Sequence, residues 1–401
     1  MALDKRYKIC VEVKNMPKVS IVLPSYNGEK YIHESIDSIL RQTFLDWELI
    51  IVDDCSTDDT PKIADEYAER DTRIQVIHNT MNQKLPESLN IGFRQSKGDY
   101  LTWTSDDNIY LSYAMEKMVK YLDTYDSEPM VCAKMLIVDK NMQYLREMDQ
   151  YDGLRMYIDN KVGAAFMYRR AVLHQVGEYD KELFCIEDYD YWIRVLQRYG
   201  SIGYLDTVLY LYRLQPNSLS ATKERQIKRM QGYLRLKHLD WALSGIGENK
   251  ACLMKLYNDL LIDEPISCWF KEKYTQLIPE LSGERPLKQD IPVILFGAGK
   301  IGQKTYELIS KCVVAFADSA PSKIGGTKNG LLILSPEALK NRKENCQIVI
   351  SVNFQYQLEI MQSLIQLGIF QYTLYSRIIL DDAFKSSRKA GIMENNGESF
   401  V

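Results

Sequence analysis

Two segments of this chain end the same way, and that repetition limits the fold more than anything else. Trp47 to Val52 and Tyr100 to Thr104 are short runs rich in β-branched and aromatic residues, and each leads into adjacent carboxylates, Asp53-Asp54 and Asp106-Asp107. Runs of that length and composition are buried strands. Between and around them lie helical stripes. Ile32, Ile36, Ile39 and Leu40 recur at helical spacing, Pro61 stands just inside a second helix after the capping run Ser56-Thr-Asp-Asp-Thr60, and Leu85, Leu89 and Phe93 mark a third. Lys18 to Pro24 and Arg73 to His78 supply two more strands, the first expected to stop at Pro24. Alternating strands and helices give a parallel sheet covered by helices. Ligands bind at the carboxyl ends of such strands, where both acidic pairs are expected. Side-by-side carboxylates repel unless a cation sits between them. A hard cation such as Mg2+ or Mn2+ takes one or two carboxylates and completes its shell with a diphosphate. An Asp-Asp turn that merely ends a strand is the plainer alternative.

Composition narrows the class. The 401 residues suffice for two or three domains, and 46% hydrophobic with 26% charged residues fits a globular protein. A net charge of −4 advertises no basic face, so nucleic acid is not an expected partner. No apolar run approaches the roughly 20 residues of a membrane span, and Met-Ala-Leu-Asp-Lys-Arg at the start has no signal-peptide core. The eight cysteines contain no C-x-x-C pair and read as reduced, buried thiols of a cytoplasmic protein, with contact at the inner membrane face left open. His33, His78, His174 and His238 are isolated and read as structural.

The segments Val19-Ser-Ile-Val-Leu-Pro-Ser-Tyr-Asn27, Ile51-Val-Asp-Asp-Cys-Ser-Thr-Asp58 and Ser105-Asp-Asp-Asn108 together resemble glycosyltransferase family 2, an inverting family of GT-A fold. The likeness continues through Arg170–Asp180, Ile186–Arg194 and Val208–Arg213 to Ser220, so it spans about residues 18–220. It implies a mixed, mostly parallel α/β sheet between helices and a nucleotide-diphospho-sugar donor, uridine-linked, with Mn2+ or Mg2+. By that resemblance Asp54 contacts the base, Pro24 and Tyr26 line the same pocket, Asp106 faces the ribose side and Asp107 holds the metal. Asp188 is then the general base, with Glu187 and Trp192 on the acceptor side. The implied acceptor is a hydroxyl of a glycan or lipid-linked precursor in bacterial surface polysaccharide or glycoconjugate synthesis. The residues themselves offer a plainer reading of Asp188, a carboxylate favoured at the start of a helix. Two features depart from the family. Lys84 stands in a loop without the usual glycine and reads as a solvated lysine, and Gln215 stands where relatives carry histidine.

The remainder is expected to be a leader (1–17), a helical neck (221–288) that could serve a homo-oligomer, a small Rossmann-like domain (289–380) and a polar tail (381–401). In the small domain, Ile291–Phe296 reads as a strand, Gly297-Ala-Gly-Lys-Ile-Gly302 as G-x-G-x-x-G opening a helix, and Val313–Ala317 as a strand ending at Asp318. That is a nucleotide-binding fingerprint, with Gly297, Gly299, Gly302 and Asp318 as its residues. It leaves two further readings open. One is an NAD(P)-dependent oxidoreductase, or a sugar-nucleotide-binding module, centred on this domain; the other is a folded appendage that binds nothing.

Overall fold

The computed structural model describes residues 16–148, 151, 155–157, 159–216, 218, 222–260, 271, 274–288, 290–342, 345–376 and 378. The expected leader up to residue 15 and the expected tail lie outside them. The chain divides into two compact units, 1–156 with 160–222, and 157–159 with 223–401.

The first unit is built on a nine-stranded sheet in the order β3-β2-β1-β4-β8-β6-β9-β5, with β7 (Tyr144–Glu147) paired to β6. Its parallel part comprises β1 (Val19–Ser25), β2 (Trp47–Asp53), β3 (Ile74–His78) and β4 (Tyr100–Trp103). β1 is buried along its whole length and β2 at all but Glu48, as central parallel strands are, whereas the edge strand β3 exposes Gln75 and His78. The intervening helices are α1 (Ile32–Leu40), α2 (Thr60–Arg70) and α3 (Lys84–Gln95), and Ile32, Ile36 and Ile39 of α1 are fully buried, as their spacing requires.

β1 runs one residue past Pro24, contrary to expectation. The β1–β4 ladder ends at Val22 and Trp103, and Thr104 N–H closes it on the Val22 carbonyl. Pro24 faces that side, where no strand remains to need its missing N–H.

The second half of the sheet is less parallel than expected. β8 (Phe166–Arg169) runs antiparallel to β4 and β6 (Met130–Val138), and β5 (Ile109–Tyr110) antiparallel to β9 (Gly203–Arg213); only β6 and β9 run parallel. Helix α6 (Glu187–Tyr199) is anchored by Trp192, fully buried and edge-on to Phe166 at 4.5 Å.

The second unit corrects the neck. The helices Leu239–Ile246 and Lys250–Leu260 bury Leu239, Ala242, Ile246, Leu253 and Leu256 in one cluster with Ile294, Phe296, Ala315, Ile348 and Ile350. They are one cover of the C-terminal sheet, since an apolar stripe must bury itself somewhere. That sheet runs β12-β13-β11-β10-β14-β15. β10 (Val293–Phe296), β11 (Val313–Ala317), β13 (Leu331–Leu334), β14 (Gln347–Ile350) and β15 (Thr373–Leu374) are parallel, and only β12 (Thr327–Lys328) is antiparallel. No described helix is long and apolar enough to cross a membrane.

Candidate active site

Because β1, β2 and β4 are parallel neighbours, their carboxyl ends share one edge. Ser25 lies beside Asp53 in register, and Asp54 N–H donates to the Ser25 carbonyl at 2.8 Å. The Ser25 hydroxyl donates to Asp106 Oδ2 at 2.5 Å, so β1 grips the first carboxylate of the β4 pair. The turn that follows fits only a glycine at position 28, because a Cβ there would collide with that same Oδ2. Asn27, at φ +56°, accepts from Thr57 N–H at 2.8 Å and binds the turn to the loop after β2.

Asp106 and Asp107 have no lysine or arginine side chain on either carboxylate among the described residues. Asp107 accepts from two neutral donors, Ser105 Oγ at 3.0 Å and Gln215 Nε2 at 2.7 Å. Burial, with the charge of Asp107 beside it, pushes the Asp106 carboxyl up to about 7. This donor set fits a hard divalent cation: two hard oxygen donors, a carboxyl strained by like charge, and no built-in counter-charge. No described group of three or more His, Cys, Asp and Glu residues could hold a metal alone, so remaining ligands would come from a diphosphate or water.

The segment is held from below by Arg213, which sequence reasoning gave no role. Buried at 2% exposure, it donates from Nε to the Asp107 carbonyl at 2.8 Å and from a terminal nitrogen to Glu34 Oε2 at 2.7 Å. Its main-chain N–H donates to Asn108 Oδ1 at 2.8 Å. The signal was present as an arginine inside a closing strand, but Asp107, Asn108 and Glu34 lie more than 100 residues away along the chain.

Asp54 has both oxygens engaged. Asn79 Nδ2 and Gln83 N–H donate to Oδ1 at 2.8 and 2.7 Å, and Lys84 N–H donates to Oδ2 at 2.9 Å. It therefore pins the loop before α3, in which Lys84 takes φ +72°. The Lys84 ammonium lies over the Phe184 ring, 5.3 Å from its centroid, in the loop leading to α6. Pro24 is buried and Tyr26 is 52% exposed on the same edge. His78, bonded to Asp53 at 3.0 Å and Asp65 at 3.1 Å, supports the first acidic pair.

Glu187 and Asp188 open α6. Asp188 accepts from Tyr189 N–H at 2.7 Å and from Asn160 Nδ2 at 2.8 Å. Glu187 is buried with Oε2 unpartnered. Burial raises both carboxyls, and the charge of Asp188 raises Glu187 further. Hydrogen bonds offset part of that rise at both groups, and at Asp188 they include the Asn160 side-chain amide. Trp192, expected beside the acceptor, is instead wholly interior and supports α6 from beneath. A row of aromatic contacts, Trp103–Phe166–Trp192, joins the end of β4 to this helix.

A parallel half-sheet with two acidic pairs at its carboxyl edge, continued by a mixed half and a third acidic pair at the start of α6, is the layout of the GT-A class of glycosyltransferases. The family model described as Glycosyl transferase family 2 matches residues 20–177, the greater part of this unit. An uncharacterized glycosyltransferase of Haemophilus influenzae is 29% identical over 268 residues, 61% of this chain and 82% of that protein. The uncharacterized glycosyltransferase EpsJ of Bacillus subtilis is 28% identical over 219 residues, 51% of this chain and 63% of that protein. Among solved structures, S. aureus TarS 1–349 in complex with UDP-GlcNAc aligns at TM-score 0.49 and 19% identity, over 66% of this chain and 82% of that one. Residues 290–375 match a model described as C2185-like, N-terminal.

Proposed function

We propose that this glycosyltransferase is inverting and metal-dependent, and that it moves a sugar from a uridine-diphospho-sugar to a hydroxyl of a bacterial surface glycan or its lipid-linked precursor. The observation that carries the reading is the division of labour between two acidic pairs. Asp106-Asp107 offers oxygen ligands with no cationic side chain among the described residues, while Asp188 is oriented by the donors Tyr189 N–H and Asn160 Nδ2 at the start of α6.

In the reaction Asp188 takes the proton of the acceptor hydroxyl. The acceptor oxygen bonds to the anomeric carbon on the face opposite the diphosphate, and the bond to the diphosphate oxygen breaks with its electron pair. A divalent cation held by Asp107, with Asp106 beside it, would supply positive charge where the diphosphate gathers negative charge. Glu187, whose carboxyl is pushed up by burial and by the charge of Asp188, is the weaker candidate for holding charge and leaves Asp188 as the base. Asp54 shapes the base pocket by holding the 79–84 loop, next to Pro24 and Tyr26.

The oxidoreductase alternative is not favoured, because the relatives matched along the first unit are named glycosyltransferases. The test is a panel of nucleotide-sugars with Mn2+, assayed for nucleoside diphosphate release. Asp107→Ala should abolish transfer, and EDTA should abolish it in the wild type; full activity in EDTA would remove the metal from the mechanism.

A further inference from the structure

The glycine loop of the second unit is not used by the reaction above, yet it is assembled as a site. The order of strands reverses at β10: β11 and β13 lie to one side, β14 and β15 to the other. The helix Lys300–Ile309 follows β10 and covers one face, where Tyr306 and Ile309 pack with Leu295, Phe316 and Val349. The helix Phe354–Gln366 follows β14 and covers the opposite face through Ile360, Met361 and Leu364. Their N-termini therefore open on one crevice at the carboxyl ends of adjacent strands. Neither has a side-chain cap on its first N–H groups. Two such ends present two clusters of unsatisfied donors and two positive dipole poles.

A buried side chain points the same way. Ser351 follows β14, is 2% exposed, and its hydroxyl has no partner. Two residues beyond Val349, it lies on the face beneath the helix Lys300–Ile309. Its main-chain N–H donates to the Phe296 carbonyl at 2.8 Å, which brings it beside Gly297. Gly297, at φ +119°, has no side chain to fill that space, and a Cβ on Gly302 would collide with the Gly297 carbonyl. A buried hydroxyl without a partner is costly unless a ligand supplies one.

Charge agrees. Lys328 Nζ donates to the carbonyls of Ala298 and Gly299 at 2.8 and 3.2 Å, which sets a cation over the loop. Asp318, read from the sequence as a ribose acceptor, is committed elsewhere. It accepts from Ala298 N–H at 2.9 Å, Ala320 N–H at 2.9 Å and Lys323 Nζ at 2.8 Å, and these donors hold it below the usual carboxylate range despite burial. The site is thus furnished for phosphoryl oxygens more than for ribose hydroxyls. Tyr356, 52% exposed in the first turn of the second helix, offers an aromatic face for a base.

We infer that the second unit binds a nucleoside diphosphate at the crevice between Gly297–Gly302 and Ser351–Tyr356, separately from the transferase site. Recognition is by diphosphate on the two helix N-termini, Ser351 and Lys328, with the base against Tyr356.

The experiment uses the full-length chain carrying Asp107→Ala in EDTA, to weaken the transferase site. UDP, ADP, NAD+ and inorganic pyrophosphate are titrated by calorimetry. One equivalent of a nucleoside diphosphate should bind. Gly299→Asp should weaken it at least about tenfold, because it puts a negative charge at the phosphate position. A Cβ at Gly299 meets open space, so the fold should survive, with unchanged circular dichroism. Ser351→Ala should weaken binding about fivefold without lowering Tm. Tyr356→Ala should weaken nucleotide about tenfold and leave pyrophosphate unaffected. No saturable binding, or binding that ignores both Gly299→Asp and Tyr356→Ala, would overturn the site. Pyrophosphate or NAD+ bound as tightly as the nucleoside diphosphates would overturn the ligand class.

Discussion

Gln215 Nε2 donates to Asp107 Oδ2 at 2.7 Å, across 108 residues of chain. The carboxylate is oriented by an uncharged donor. Among the described residues the other Asp107 oxygen takes only the Ser105 hydroxyl, so these donors aim the carboxylate without neutralising it.

That relationship makes a first prediction. Gln215→Ala should leave the fold intact and raise the Mn2+ concentration needed for half-maximal transfer by about tenfold, the worth of one charge-assisted hydrogen bond. Titration of activity with Mn2+ measures it. An unchanged requirement would separate Gln215 from the metal.

Asp106 supplies the second. Its carboxyl is raised by burial and by Asp107, so the folded state binds a proton that the unfolded chain releases. The sign follows: Asp106 costs stability increasingly as pH rises toward about 7, and nothing at acid pH where it is protonated in both states. Asp106→Asn should therefore melt higher than wild type at about pH 8, the gap closing near about pH 4, while transfer is lost. Parallel melts across that range give the comparison; a gap that widens on acidification would contradict it.

Asp188 supplies the third. Asp188→Asn keeps the size and the Asn160 neighbour but removes the base. Donor affinity should persist while kcat falls by about 10^2 to 10^4. Proton NMR of the wild-type product should show an inverted anomeric centre. A retained configuration would require a different mechanism.

Asp54 supplies the fourth. Three donors from residues 79–84 converge on its carboxylate, so Asp54→Ala should free that loop. Nucleotide affinity should drop by more than kcat, and limited proteolysis should begin to cut between Asn79 and Lys84. Unaltered cleavage with unaltered affinity would remove Asp54 from the pocket.

Local pattern carried much of this molecule in the sequence. Strands β1 to β4 and the helices between them were legible because apolar runs and helical stripes are short-range signals, and both acidic pairs followed from their places at strand ends. The glycine loop before Lys300 was legible for the same reason, since glycine marks close backbone approach locally. What the tertiary structure decided lies in pairings distant along the chain. Arg213 reaches Asp107 and Glu34, Asn160 reaches Asp188, and Ser351 comes beside Gly297, none of which any spacing rule specifies. The helices after residue 223 read as a neck because an amphipathic stripe states that it must be buried and not against what. Asp318 kept its expected position and lost its expected freedom, because a carboxylate's role is set by the donors that reach it, and those are fixed only when the sheet closes.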